Sequence, residues 1–255
     1  MSTNSEATVP LPFWERQFGP QVTDSQIAFD VMFGLLFPLI CLVLDPIVFR
    51  LGSMDAGFGG PMGTPFVVGA VVAIGLGFIT LISWLSLRRA PAFFAGLMSG
   101  SALFAVTLGI VMLPLSLLGM LFLGVGILGM SPFITAFVFG RNAIRASRMA
   151  REAKHPRPNL LAAFGFVIAC GVPLASQGYV WREVSYAKEM VLSENPDTAA
   201  RGLAVLKIFR GMATFDDIAT AYQAEKNEDR RKRLAVAYDE LTGMDIETRL
   251  RILDD

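Results

Sequence analysis

The sequence predicts an all-α protein: a polytopic membrane helix bundle of about five transmembrane helices, with a small C-terminal antiparallel helical domain. Only 17% of the 255 residues are charged and 53% are hydrophobic, whereas soluble domains contain roughly 25% charged residues. The apolar residues form runs of roughly 18 or more, which is long enough for a helix to cross a hydrocarbon core. After residue 180 the chain becomes charged, with 12 basic and 15 acidic residues.

The order of segments follows from these runs. A polar segment, 1–26, comes first, and it has no basic start followed by an apolar core, so we do not expect a cleavable signal peptide. The transmembrane bundle, 27–180, is predicted to contain five helices, at about 27–49, 65–87, 92–112, 116–139 and 159–179.

The third apolar block, Ala92–Phe139, runs for 48 residues without a charge. A single helix of that length would measure about 72 Å, more than twice the thickness of the bilayer core. Pro114 lacks an amide donor and clashes with the preceding turn, so it predicts a hairpin at 113–115.

The last run is the shortest and contains Pro173. We expect it to cross the membrane, which places the C-terminal domain outside the cytoplasm. If this run is re-entrant instead, the C-terminal domain lies inside.

Basic residues lie in one set of loops, and loops rich in lysine and arginine face the cytoplasm. Eight of them lie between the second and third crossings or between the fourth and fifth: Arg88, Arg89, Arg141, Arg145, Arg148, Arg151, Lys154 and Arg157. The pattern predicts a cytoplasmic N-terminus and an integral location, by default in a bacterial inner membrane.

The simplest role of these eight residues is to fix the topology and to contact anionic headgroups. Arg141, Arg145 and Arg148 would share one face of a helix near the headgroups. A specific lipid or protein partner is the alternative. Nucleic acid is not expected as a partner, because no aromatic stacking residues are interleaved with the basic ones.

Two aspartates lie within the first apolar run, Asp30 and Asp45. They would be about 22 Å apart in one helix, too far to share a proton. The leading interpretation is that each is hydrated near a membrane surface. A proton or cation site at Asp30 is the alternative, since charges inside a crossing are expensive.

Small residues recur at helical spacing in the second and third crossings, where they allow helix backbones to approach closely. They are Gly69, Ala73, Gly77, Gly96, Gly100, Ser101, Ala105 and Gly109. Packing within the bundle is the favoured interpretation, and self-association through one of these stripes is the alternative.

Catalytic signatures such as a zinc-binding HExxH, a GxSxG elbow or a P-loop are missing from the sequence, so we lean away from an enzyme. The lone histidine, His155, has no cysteine or acidic cluster nearby, and we expect no metal and no cofactor.

The charged segment 181–255 carries repeated helix signals. Asn195 before Pro196 is typical of an N-cap followed by proline at the first helical position. Residues 234, 237, 238 and 241 have the spacing of one apolar helix face, and Gly243 follows as a helix end. At about 75 residues, this domain is marginal for an independent core, which favours a protein partner or self-association.

These features favour a multi-pass membrane protein that anchors a helical interaction domain and acts as a subunit, scaffold or assembly factor of a membrane complex. The alternative is a small transporter or channel subunit that uses Asp30 and polar helix faces. A membrane enzyme would need a site that no motif marks.

Overall fold

The computed structural model of the chain describes residues 12–19, 22–41, 63–121, 130–154, 157–208 and 215–254. These residues form helices and the connections between them, and no strand occurs among them. The helices of this described part are α1 (Phe13–Phe18), α2 (Asp24–Cys41), α3 (Gly63–Leu87), α4 (Pro91–Leu121), α5 (Ser131–Glu152), α6 (Pro158–Val191), α7 (Pro196–Ile208), α8 (Asp216–Ala224), α9 (Glu228–Thr242) and α10 (Ile246–Asp254).

Within the described residues, four helical segments are long and apolar enough to span a membrane: Asp24–Cys41, Val68–Leu87, Pro91–Val111 and Pro158–Val191. The first begins at Asp24 rather than at residue 27, and residues 42–49 of that predicted helix lie outside the described part. Its start is fixed by the side chain of Gln26, whose Oε1 accepts a hydrogen bond from the Thr23 backbone N–H at 3.2 Å.

The predicted hairpin at 113–115 is wrong, because α4 continues through Pro114 to Leu121. Proline removes one backbone hydrogen bond from a helix. A reversal of the chain in apolar surroundings would leave several backbone groups without partners, so continuing the helix costs less. The predicted fourth crossing, 116–139, is therefore divided between α4 and α5, and its residues 122–129 lie outside the described part.

Two compact units divide the described chain. The first contains the described residues of Met1–Pro46 and Ala73–Val172, and the second contains those of Ile47–Val72 and Pro173–Asp255. Helices α3 and α6 contribute residues to both units.

In the first unit, α4 and α5 pack antiparallel. Gly109 of α4 lies against Phe133 near the start of α5, where an added Cβ would be 2.9 Å from the ring atom Cε2. Ser99, earlier in α4, lines a groove together with Arg148, which is late in α5. The turn before α4 and the turn after α5 therefore lie at the same end of this helix pair.

The core of the first unit lies where α3, α4 and α5 meet, around the buried side chains of Leu81, Trp84, Met98, Val138 and Phe139. Helix α2 approaches this core closely at Gly34, where a Cβ would lie 2.8 Å from Cγ1 of Val138. A larger residue at position 34 would not fit, so the contact between α2 and α5 requires glycine there.

The second unit has a separate apolar core. Helices α7 to α10 pack with the last turns of α6 around fourteen buried residues, among them Leu206, Phe215, Ile218, Leu241 and Ile246. The predicted apolar face of α9 is confirmed, because Leu234, Ala237, Tyr238 and Leu241 are all buried. Gly243 ends that helix in the left-handed region, at φ 70°.

The boundary predicted at residue 181 differs from the one observed. Helix α6 runs without interruption from Pro158 to Val191, through Pro173, and the second unit begins at Pro173. Val180 already belongs to the second core. The composition changes near residue 181, where the charged residues begin. The residues that α6 packs against change earlier on the same helix, at Pro173.

Candidate functional site

A buried polar cluster centred on Asp30 lies in the first unit. Asp30 is in the second turn of α2, and its exposed fraction is 0%. An isolated ionised carboxylate in such surroundings is costly unless it is paired and hydrogen-bonded. The two oxygens of Asp30 both have partners on α5.

Arg141 of α5 provides the charged partner. Its Nη2 forms an ion pair and a hydrogen bond with Oδ1 of Asp30. Its Nη1 donates to Oε1 of Gln17, on α1, at 3.0 Å. The guanidinium carbon also lies 5.0 Å from the ring centroid of Phe29 and 5.8 Å from that of Phe137, within cation–π range. One arginine thus connects three helices of the first unit.

Asn142 supplies the second partner of Asp30. Its Nδ2 donates to Oδ2 of Asp30 at 3.0 Å and to the carbonyl oxygen of Val138, one turn back in α5, at 2.9 Å. The amide is fully buried. Asn142 therefore fixes Asp30 against the backbone of α5 at a point distinct from the ion pair.

Arg145 lies one turn further along α5, and it is also fully buried. It is close enough to Asp30, Arg141 and Arg88 to interact electrostatically with all three. The cluster of Asp30, Arg141, Asn142 and Arg145 is called the buried arginine cluster below.

This geometry corrects the interpretation of Asp30 as a hydrated aspartate near the membrane surface. Its carboxylate has no contact with solvent and accepts hydrogen bonds from a guanidinium and an amide. Packing of α2 on α5 excludes water from the carboxylate, and a buried charge is tolerated there only when it is paired and hydrogen-bonded. The arrangement holds α2 against α5, and both carboxylate oxygens are used in doing so.

The eight predicted basic residues fall into two groups. Arg141 and Arg145 are buried, which corrects their predicted position on a face turned to the headgroups. The other six are exposed: Arg88, Arg89, Arg148, Arg151, Lys154 and Arg157. Arg148 lies about 10 Å further along the helix axis than Arg141, so a shared helix face does not imply shared surroundings.

The eight predicted small residues are all buried. Gly96 lies against the backbone of Ala162 in α6, and a Cβ on Gly100 would lie 2.6 Å from Cβ of Ala169. A Cβ added at Gly77 would lie 3.2 Å from the ring of Phe139, and one added at Gly69 would lie 3.4 Å from Gln177. These residues take part in packing within the chain. The second predicted aspartate, Asp45, and the histidine, His155, lie outside the described residues.

The pairing of Asp30 with Arg141 was missed by sequence reasoning because 111 positions separate the two residues. A signal was present: Arg141 is the first charged residue after the uncharged block that ends at Phe139. A buried aspartate needs a counter-ion, and the first arginine to follow an apolar helix was the natural candidate.

Among the residues that the structure describes, no group of three or more histidine, cysteine, aspartate or glutamate side chains is placed to hold a metal ion. Neither a protein-family model, nor a curated protein, nor a solved structure matches this chain. The class of protein is therefore inferred from the described helices alone. The protein is all-helical in its described part, and its four long apolar helices indicate a membrane protein.

Proposed function

We propose that the protein is a multi-pass membrane protein that anchors and presents a helical interaction module, acting as a subunit, scaffold or assembly factor of a membrane complex. The module consists of α7 to α10 and the last turns of α6. One observation carries the proposal: the helix that supplies a candidate span also supplies Val180, Val184, Ala187 and Val191 to the core of the module.

Two aromatic residues of α6 support a helix that first crosses the membrane and then enters the module. Tyr179 and Trp181 are exposed on a helix whose preceding residues are apolar and whose following residues are charged. Such amphipathic rings prefer the level of the headgroups. From Pro158 to Trp181 the helix rises about 35 Å, enough to cross the hydrocarbon core and reach the interface.

The proposed topology has five crossings, which are the four candidate spans and the apolar run that ends at Phe139 in α5, antiparallel to α4. The exposed Arg88 and Arg89 precede α4, and the exposed Lys154 and Arg157 follow α5, at the same end of that helix pair. Basic residues mark the cytoplasmic side, so this end faces the cytoplasm. The module then lies outside the cytoplasm, and a bacterial inner membrane is the proposed location.

Two partners follow from this proposal. Anionic headgroups would contact the exposed basic residues at the cytoplasmic end. A protein partner, or a second copy of the chain, would bind the module, which carries exposed apolar side chains: Ile208 of α7 is 77% exposed and Val236 of α9 is 57% exposed. Lys207, next to Ile208 in the sequence, and Glu240, one turn after Val236, form an ion pair whose Nζ and Oε2 atoms are 2.8 Å apart.

The alternative function, a small transporter or channel subunit, has less support. Asp30 is engaged by Arg141 and Asn142. The hydroxyl groups of Thr80 and Thr107 donate to the carbonyl oxygens one turn back in their own helices, at 2.8 and 3.0 Å. These groups serve helix packing and backbone bonding rather than a free polar path.

Site-specific photo-crosslinking tests the proposal in native membranes. A photoreactive residue at Ile208 or at Val236 is expected to give the same discrete protein adduct, because the Lys207–Glu240 ion pair joins the two helices that carry them. Arg231, exposed on the same helix but turned about 140° around its axis from Val236, is the matched control position. Double substitution with serine at Ile208 and Val236 is expected to abolish capture without unfolding the chain, because exposed side chains contribute little to stability.

Two results would contradict the proposal. One is adduct formation at Arg231 equal to that at Ile208 and Val236. The other is ion-coupled flux in vesicles that contain the purified protein and its loss in Asp30→Asn, which would favour the transporter.

A further inference from the structure

A groove of about 560 Å³ lies on the first unit between α4 and α5. Ser99 and Ala102 line it from α4, and residues between Gly140 and Arg151 line it from α5. Over that stretch α5 rises about 16 Å. The groove is therefore long enough for a glycerophosphate headgroup and the first part of an acyl chain.

The lining of the groove changes from apolar to cationic along α5. Gly140, Ala143 and Ile144 come first, and Arg148 and Arg151 follow one to three turns later. At Gly140 the groove is open, because nothing lies within 4 Å of a Cβ added there. The cationic end lies toward the turn after α5, where the other exposed basic residues occur.

The two arginines of the groove differ from those of the buried arginine cluster. Arg148 and Arg151 are exposed, and in the described part of the chain neither is ion-paired with a carboxylate. They lie three residues apart on a helix, which places them as neighbours on its surface. A guanidinium binds phosphate oxygens through two parallel hydrogen bonds, and two neighbouring ones surround a phosphate better than one.

We infer that this groove binds an anionic glycerophospholipid, with its phosphate at Arg148 and Arg151 and an acyl chain along Ile144, Ala143 and Gly140. A soluble anion would use only the cationic end, whereas a lipid uses both ends. The side chain of Ser147, between the two ends, is suited to the polar glycerol region. The Ser99 hydroxyl donates to the carbonyl oxygen of Ala95 at 2.8 Å, so it faces the lipid as an acceptor only.

This inference rests on the proposed membrane location and orientation, and it does not depend on the presentation of an interaction module. It differs from general attraction of anionic lipid to basic loops, because it assigns one lipid to one groove. General attraction depends on the number of charges near the surface. A groove depends in addition on which charges they are and on the space beside them.

Native mass spectrometry of the purified full-length protein tests the site by titration with phosphatidylglycerol or with phosphatidylcholine of the same acyl chains. The wild-type protein is expected to bind phosphatidylglycerol more tightly. Arg148→Gln with Arg151→Gln is expected to weaken phosphatidylglycerol binding by at least roughly tenfold, because the charge-assisted hydrogen bonds to the phosphate are lost. Phosphatidylcholine has the same phosphate but adds a cationic choline, so it is expected to bind more weakly and to lose less affinity in this variant than phosphatidylglycerol does.

Two further variants separate the groove from general charge. Arg89→Gln with Lys154→Asn removes the same charge from exposed positions outside the groove, and asparagine suits the left-handed backbone of Lys154 at φ 46°. This control is expected to change binding less than about threefold, given the screening of exposed charges. Gly140→Leu fills the apolar end without altering charge, and it is expected to weaken lipid binding.

The inference is overturned if the control pair weakens binding as much as the Arg148 and Arg151 pair, which would mean general electrostatic attraction. It is also overturned if Gly140→Leu binds the lipid normally, or if inorganic phosphate displaces it completely, since the site would then recognise a free anion. Crosslinking at Ile208 and Val236 reports on the proposed function separately, so failure of one proposal is distinguishable from failure of the other.

Discussion

The two units of the molecule build their cores from different chemistry. The first buries Asp30, Arg141, Asn142 and Arg145 beside an apolar cluster, whereas the second packs Leu206, Ile218 and other apolar side chains, with tyrosine as its most polar buried residue. All the buried polar and charged residues of the described chain lie in the first unit.

The difference shows that burial has two kinds of energetic consequence. In an apolar core, the cost of a substitution follows the volume that is removed. In a charged cluster, it follows whether the remaining partner is left without a counter-ion. A buried ion pair can be replaced as a unit at little cost, although removal of one partner is expensive. The pair between Asp30 and Arg141 therefore specifies how α2 packs on α5, more than it adds stability.

The largest effect is expected from Asp30→Ala, which leaves the Arg141 guanidinium buried without its carboxylate. We expect a loss of about 3–5 kcal/mol in the free energy of unfolding, measured by denaturation of the purified protein in detergent. Arg141→Met alone is expected to cost a similar amount. The double variant is expected to be more stable than either single one, and additive losses would contradict the pairing.

The next largest effect is expected in the second core from Leu206→Ala. Leu206 has an exposed fraction of 0%, so its truncation leaves a cavity and should cost about 2–5 kcal/mol. Val236→Ala, at an exposed position of the same unit, is the control and should change stability by less than about 0.5 kcal/mol. Equal effects at the two positions would show that the second core is not packed as described.

A smaller effect is expected from Asn227→Ala at the start of α9. The Asn227 Oδ1 accepts hydrogen bonds from the backbone N–H groups of Asp229 and Arg230, at 3.0 and 3.2 Å. Loss of such a cap costs about 1 kcal/mol, which chemical denaturation can resolve. Asn227→Asp keeps the acceptor and should retain most of the stability, so a loss equal to that of alanine would argue against capping.

The smallest effect is expected on the alkaline pH dependence of stability, in Tyr238→Phe. Burial raises the pKa of Tyr238 above its ordinary value of 10.0, while the charge of nearby Arg249 opposes this. The unfolded chain therefore loses the proton at lower pH than the folded one, and stability falls as pH rises above about 10. Phenylalanine removes this part of the alkaline loss, which denaturation across pH 8–11 would detect as a flatter profile.

Local signals in the sequence predicted much of the fold. Asn195 accepts a hydrogen bond from the backbone N–H of Asp197 at 2.9 Å, and α7 begins at Pro196, as the N-cap signal predicted. The apolar runs predicted long helices, because composition and length are properties of a single segment. The exceptions, at Pro114 and at residue 181, concern where a helix ends, and neighbouring helices decide that as much as the local sequence does.

The candidate sites could be predicted from the sequence to a smaller extent than the helices. The buried arginine cluster depends on residues 111 positions apart that only the packing of α2 on α5 brings together. Arg141, Arg145 and Arg148 share one helix face, yet two are buried and one is exposed. Helical spacing predicts a direction around the axis and not the neighbour found there.

The five-crossing topology is tested most directly by finding on which side of the membrane Lys154 and Asp255 lie. Paired reporters, one active only in the cytoplasm and one active only outside it, would be fused after Lys154 and at Asp255. Five crossings predict cytoplasmic activity at Lys154 and external activity at Asp255. Cytoplasmic activity at both positions would contradict the account, because α6 would then fail to cross and the helical module would lie on the same side as the exposed basic residues.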